Sequence, residues 1–209
     1  MNIIKAKECY NALLAQKIIE KLKKRNMEGF YCETKEDALK KVLEMIPKNS
    51  MVSCGGSATL DEIGLRVALK KEGYNFLDPK DAQGAKAMDK VAHEALKADY
   101  FLMSSNAISA TGELVNIDGY GNRVAALIFG PKNVLVIAGL NKVEPNLEAA
   151  ILRAKTVAAP LTMMIFKHDY PSFDEVSKAS EGGSSHLVIT SKSATKRITV
   201  ILVGESLGF

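Results

Sequence analysis

MVSCGGSATLDEIGLRVALKKEGYNFLD (51–78) is the stretch whose reading decides the fold. A brief apolar run ends in two glycines, a helix follows from about Thr59 to Glu72, and a second apolar run closes the unit at 74–78. Strand, glycine loop, helix and strand in that order form the repeating unit of a parallel α/β sheet. The same alternation extends both ways. Upstream, Leu13, Leu14, Ile18, Ile19 and Leu22 fit an amphipathic helix over about 5–26. Phe30–Cys32 reads as a strand, and Thr34 with Asp37 resembles a capping box opening a helix to about Ile46. Downstream come a helix near 84–97 and a strand at 100–104.

Beyond Ser104 the pattern changes. SNAISATGELVNIDGYGNR (105–123) is polar and glycine-rich, with one short apolar run at 113–117. VAALIF (124–129) and VLVIAG (134–139) are separated by only four residues, which predicts an antiparallel hairpin rather than a crossover pair. Pro145 opens a helix that Pro160 is expected to close, after Ala158. MMIF (163–166), HLVIT (186–190) and ITVILVG (198–204) read as strands, and 172–185 as a loop. The expected fold is α/β, a mostly parallel sheet flanked by helices with an antiparallel hairpin portion. It is read as one domain over 1–209 whose residues 1–49 form a helical N-terminal segment.

The composition excludes several classes. The chain has 209 residues, 47% of them apolar, with 28 Lys+Arg against 24 Asp+Glu. Its length suits a single domain that buries a core without staples. Residues 1–49 hold 11 basic and 7 acidic side chains, which leaves 17 of each elsewhere, so the whole excess lies in that segment. Its lysines sit at helical spacing among acids without aromatic interleaving, which argues for a solvated helix face and against a nucleic-acid partner. Cys9, Cys32 and Cys54 are odd in number and widely spaced, so neither a disulfide framework nor a zinc site is expected. Only three apolar residues precede Lys5, too few for a signal-peptide core, and Pro131, Lys132 and Asn133 interrupt the apolar run 124–140. The expectation is a cytoplasmic protein without a membrane partner. No metal is expected either, because His93, His168 and His186 lack ligand spacing. No motif calls for a cofactor.

Three places carry polar groups at strand ends. In SCGGSATLDEIG (53–64), Gly55, Gly56, Ser57 and Thr59 form a loop whose backbone N–H groups suit an anion, or equally a tight turn with Ser57 or Thr59 as N-cap. The segment 104–123 gathers Asn106, Glu113, Asp118, Asn122 and Arg123 beside glycines, a composition that lines a pocket or builds successive turns. There Glu113 or Asp118 can serve as base or nucleophile and Arg123 can clamp an anion; an Asp118–Arg123 ion pair is the bland alternative. Lys142, at the end of the run 134–139, meets an anion or lies on the surface. Cys54, beside the glycine loop with no nearby histidine in sequence, reads as structural.

Residues 98–160 resemble the LUD domain, the lactate-utilisation family that includes lactate utilisation protein C. The resemblance is carried by NAISATGELVNIDGYGNR (106–123), FGPK (129–132), GLNK (139–142) and the alanine-rich helix ending AAP (158–160), with GGSATLDEIG (55–64) upstream. It implies a fold like that of ribose-5-phosphate isomerase, glucosamine-6-phosphate isomerase and the CoA transferases. It also implies that Gly55, Gly56, Ser57 and Thr59 bind an anion opposite Glu113, Asp118, Asn122 and Arg123. Many relatives carry a cysteine-containing stretch after this region; residues 161–203 contain no cysteine. An iron–sulfur link is therefore not implied for this chain. The expected function is binding of a small anionic metabolite, a carboxylate, sugar phosphate or acyl-CoA-like molecule, in lactate-type organic-acid metabolism. If the chain is an enzyme, Glu113 would be the acid/base or nucleophile and Asp118 its orienting partner. The alternative is a non-catalytic accessory subunit that docks partner proteins, or a homo-oligomer.

Overall fold

The computed structural model describes residues 2–167 and 169–209, so His168 lies outside the described residues. Six strands form one parallel sheet. They are β1 (Glu28–Cys32), β2 (Met51–Cys54), β3 (Asn75–Leu77), β4 (Tyr100–Met103), β7 (Asn133–Gly139) and β10 (Ile198–Val203), in the order β1-β10-β7-β4-β2-β3. Alternation along β7 sends Val134, Val136 and Ala138 to one face and Leu135 and Ile137 to the other. The first face packs on α1 (Ile3–Lys24) through Ala15, Ile18 and Leu22, and on α6 (Asn122–Phe129) through Ala126 and Leu127. The second packs on α2 (Lys35–Met45) through Val42, on α3 (Ala58–Glu62) through Leu60 and on α4 (Leu65–Lys71) through Leu65 and Leu69. Both faces are covered, which is why β7 and β10 read as nearly continuous apolar runs instead of alternating. α5 (Ala85–Ala95) links β3 to β4.

A second sheet, in the order β8-β5-β6-β9, is built from β5 (Ala107–Ser109), β6 (Leu114–Asp118), β8 (Val143–Glu144) and β9 (His186–Thr190). Ile108 and Leu114 join the first core, whereas Ala107 and Val115 pack under Ala150 and Ala154.

Several sequence expectations move. An antiparallel hairpin exists, but it is β5–β6, with Ala107 opposite Val115; VAALIF is helix α6 instead of a strand. Its apolar run is too short for periodicity to separate helix from strand, and the Asp118 carboxylate accepts from the Val124 N–H, capping a helix. As β4 and β7 are parallel neighbours, the chain between them must cross over, and α6 belongs to that crossover. The single helix expected over 59–72 breaks at Gly64, whose φ of 70° is left-handed. Pro160 does not end its helix. α7 (Leu147–Arg153) runs through a π-helical segment, Ala154–Ala158, into α8 (Ala159–Phe166). Proline in an α-helix clashes with the carbonyl four residues back, and the wider π turn precedes it here. MMIF therefore lies in α8. The 172–185 region holds α9 (Phe173–Gly183), capped by Ser172, which accepts from the Glu175 N–H. Residues 147–166 are long and apolar enough to cross a membrane by length and composition, with a mean hydropathy of 1.4 and 33% burial. On this helix Ala150, Ala154 and Ala158 are buried, while Leu152, Ile165 and Phe166 are exposed.

Candidate functional site

Loops leaving the carboxyl ends of the neighbouring strands β2, β4 and β7 converge, the usual place for a ligand crevice in such sheets. Gly55 follows β2, Ser104 follows β4, and Lys142 sits on a single 3-10 turn, Leu140–Lys142, after β7. Lys142 is buried, so of its two readings the surface one does not hold. Its Nζ donates to Thr59 Oγ1 at 2.9 Å and to Ser104 Oγ at 3.0 Å. No carboxylate lies within ion-pair distance of it among the described residues. Burial, then the charges of Arg153 and Arg123, pull its pKa from 10.5 down to about 7, against a smaller opposing pull from Glu62.

Beside this cluster Arg123 is folded inward. One guanidinium nitrogen donates to the Ser104 carbonyl at 3.1 Å and to Asn116 Oδ1 at 2.7 Å; the other donates to Asn106 Oδ1 at 2.9 Å and the Ile117 carbonyl at 2.6 Å. Burial lowers its pKa, and Asp118 offsets this in part. A Cβ on Gly55 would stand 2.9 Å from Arg123 Cδ, so this glycine is what lets the loop and the arginine stem meet. Asn106 also accepts Arg153 through its carbonyl, at 2.6 Å. Asn116 is fully buried, and its Nδ2 finds no hydrogen-bond partner among the described residues. Thr59, Asn106, Arg123 and Lys142 are thereby joined through Ser104 in one hydrogen-bonded network, with Gly55 packed against the Arg123 stem, although they lie far apart in sequence.

Gly56 and Ser57 form its rim. Gly56 is exposed with open space where a Cβ would be, and Ser57 is the N-cap of α3, accepting from the Leu60 N–H at 3.3 Å. With only five residues, α3 contributes little dipole, so the positive charge at this end comes from side chains. Asp118 accepts from the N–H groups of Tyr120, Gly121 and Val124, with Arg123 Nε 3.9 Å away. Its oxygens are thus spent on a turn and a helix cap. Asn122 opens α6 half-buried, with no side-chain hydrogen bond among the described residues.

Glu113 is placed apart from this network. It sits at the tip of the β5–β6 hairpin, paired with Arg25 at the end of α1 and accepting from Ser109 and from Thr111 at 2.6 Å. Burial raises its pKa, but the Ser109 and Thr111 hydrogen bonds and the Arg25 charge outweigh that and leave it below the ordinary carboxylate value.

Sequence reasoning missed Arg66 and Ser104. Arg66 is buried and donates to Asp78 at 2.5 Å, to the Gly55 carbonyl at 2.8 Å and to Cys54 Sγ at 2.8 Å, fixing the glycine loop from below. Burial pushes the Cys54 thiol up to about 12, which agrees with its structural reading. The segment 205–208 was also missed. Gly208 lies over Thr59 and Lys142: its N–H donates to Glu62 at 2.8 Å, and a Cβ on it would stand 3.1 Å from Lys142 Nζ. Asn141 holds this segment in place, its Oδ1 accepting from the Leu207 N–H at 3.0 Å. The sequence shows only a glycine at 208, and a lone glycine names no neighbour.

A six-stranded parallel sheet covered by helices on both faces, with buried cations and hydroxyls gathered at its strand ends, defines an α/β domain. The LUD domain family model matches residues 15–203, and the chain belongs to that family. Among solved structures it is similar to a DUF162 family protein from Deinococcus radiodurans, with 13% identity and a TM-score of 0.57 over 92% of this chain and 98% of that one. That likeness is one of fold. No curated protein matches the chain.

Proposed function

We propose that this LUD-domain protein binds a small anionic metabolite at the crevice formed by Gly55, Gly56, Ser57, Thr59, Ser104 and Lys142, backed by Arg123 and Asn106. The carrying observation is Lys142, a buried amine held by two hydroxyls with no carboxylate within ion-pair distance among the described residues, a group that burial disfavours unless something anionic compensates it. Carboxylates, phosphate esters and acyl-CoA-like molecules share the required chemistry, and the family supports a place in lactate-type organic-acid metabolism. Asp118 and Asn122 belong to the wall of this crevice, the first by building the turn that places Arg123. Glu113 holds the hairpin tip, so acid/base work falls to the Lys142 cluster instead. A thermal-shift panel of lactate, sugar phosphates and CoA esters tests the reading. A ligand present at 100 times its dissociation constant stabilises by about 2.7 kcal/mol. Unchanged melting across the panel would overturn it.

A second reading, an accessory subunit that docks a partner, is favoured by the exposed apolar side chains Ile3, Ile4, Tyr10 and Leu13 on α1. Replacing Tyr10 and Leu13 by serine should then abolish co-purification with that partner while leaving melting unchanged.

A further inference from the structure

Lys142 has the surroundings of a nucleophile as well as those of an anion-binding group. Structural lysines buried this deeply are normally paired with a carboxylate. Lys142 instead has Thr59 and Ser104 as its side-chain partners, and two cations, Arg123 and Arg153, repel its charge from α6 and α7. Among the described residues Glu62 of α3 is the acid whose charge acts on it, and it is engaged by the Gly208 N–H. Desolvation and neighbouring cations are the conditions that keep a lysine amine free to attack a carbonyl.

We propose that Lys142 captures a small carbonyl compound bearing an anionic group, such as a 2-oxo acid or an aldehyde acid, as an imine. The inference rests on the anion-binding reading of this crevice and narrows its ligand class. The Nζ lone pair adds to the carbonyl carbon, forming the C–N bond, and the carbonyl oxygen takes up a proton to give a carbinolamine. Loss of that oxygen as water breaks the C–O bond and leaves a protonated C=N linkage. The Thr59 and Ser104 hydroxyls, both at hydrogen-bond distance from Nζ, are placed to pass the protons between nitrogen and oxygen. Capture requires the Leu207–Gly208 segment, which lies over Thr59 and Lys142, to move aside. The arginines supply the positive field that its carboxylate needs.

The test uses the full chain, glyoxylate as the probe and cyanoborohydride as the reductant, near pH 7, followed by proteolysis and mass mapping. Reduction fixes the imine as one carboxymethyl group on the lysine nitrogen. Lys142 should be labelled about tenfold faster than any exposed lysine, because its free-amine fraction near neutrality far exceeds theirs. The label should vanish in Lys142→Met. Glycolate, which has the same charge but no carbonyl, should slow labelling by competition. Labelling of Lys142 no faster than that of exposed lysines overturns the proposal. If glycolate raises the melting temperature while Lys142 stays unlabelled, the anion site stands and imine capture is refuted; if glycolate has no effect and no label appears, both readings fail.

Discussion

Lys142 should make the protein more stable in mild alkali, which is unusual, since alkali more often weakens folds. In the unfolded chain this amine binds its proton up to about pH 10.5, whereas the folded protein releases it near 7. Between those values the unfolded state holds more protons, so unfolding becomes harder as pH rises. Two-state linkage with these two pKa values gives a gain of about 2 kcal/mol between pH 7 and pH 9. For a chain of this length that corresponds to about 4–8 °C in melting temperature. The window closes near pH 9 because Cys54 acts the other way. Its thiol ionises at 9.0 when unfolded but is held up to about 12 when folded, so stability is lost as pH passes 9. The assay is urea unfolding of wild type and Lys142→Met at half-unit steps from pH 7 to 9. The wild-type minus variant difference isolates this one residue from the other titrating groups. It should climb by about 2 kcal/mol across the window. A difference that stays flat would refute the burial argument for Lys142, and a carbon-13 titration of its ε-methylene would show whether the amine has an ordinary pKa.

Two further outcomes follow from the packing. Gly55→Ala should cost about 1–3 kcal/mol in urea unfolding and weaken any anion bound at the loop, because the new methyl meets an Arg123 stem fixed by four hydrogen bonds. Ligand-independent stability equal to wild type would show that the arginine yields freely. Glu113→Gln should flatten the acid limb of the stability curve: a lowered carboxylate pKa contributes stability above about pH 4.5 and loses it as pH falls through the folded value. Anion binding should be retained, and its loss would place Glu113 in the crevice after all.

Much of the fold could be read from spacing. Thr34, three residues ahead of Asp37, marks a helix start, and the Thr34 side chain does accept from the Asp37 N–H at 3.2 Å. Strand β2 with its glycine loop, and strands β4, β7, β9 and β10, fall where their apolar runs lie. The misreadings share a cause. VAALIF is too short for a helical period to differ from a strand's, so the deciding contact was Asp118 capping Val124 across six residues. Ser172 with Glu175 was a legible cap that the polar composition around it hid. Pro160 was read as a stop because the rule concerns the α-helix, and the segment before it is π.

Within the site, Gly55, Thr59, Asn106, Arg123 and Lys142 stand out in the sequence beside predicted strand ends, and the loops leaving β2, β4 and β7 lie at one end of the sheet, although Thr59 is in α3 and Arg123 in α6. The shared end follows from the parallel pairing, because parallel strands put their carboxyl ends on the same side. Which of these groups meet, and which protonation state each holds, depends on distances between residues up to 83 positions apart, such as Lys142 and Thr59. The sequence pairs Glu113 as acid or base with Asp118 as its orienting partner, yet packing gives one to Arg25 and the other to a helix cap. Burial, and the charges brought near by folding, set whether Lys142 is an ammonium or an amine. Those are properties of the surrounding volume, which only the tertiary structure assembles.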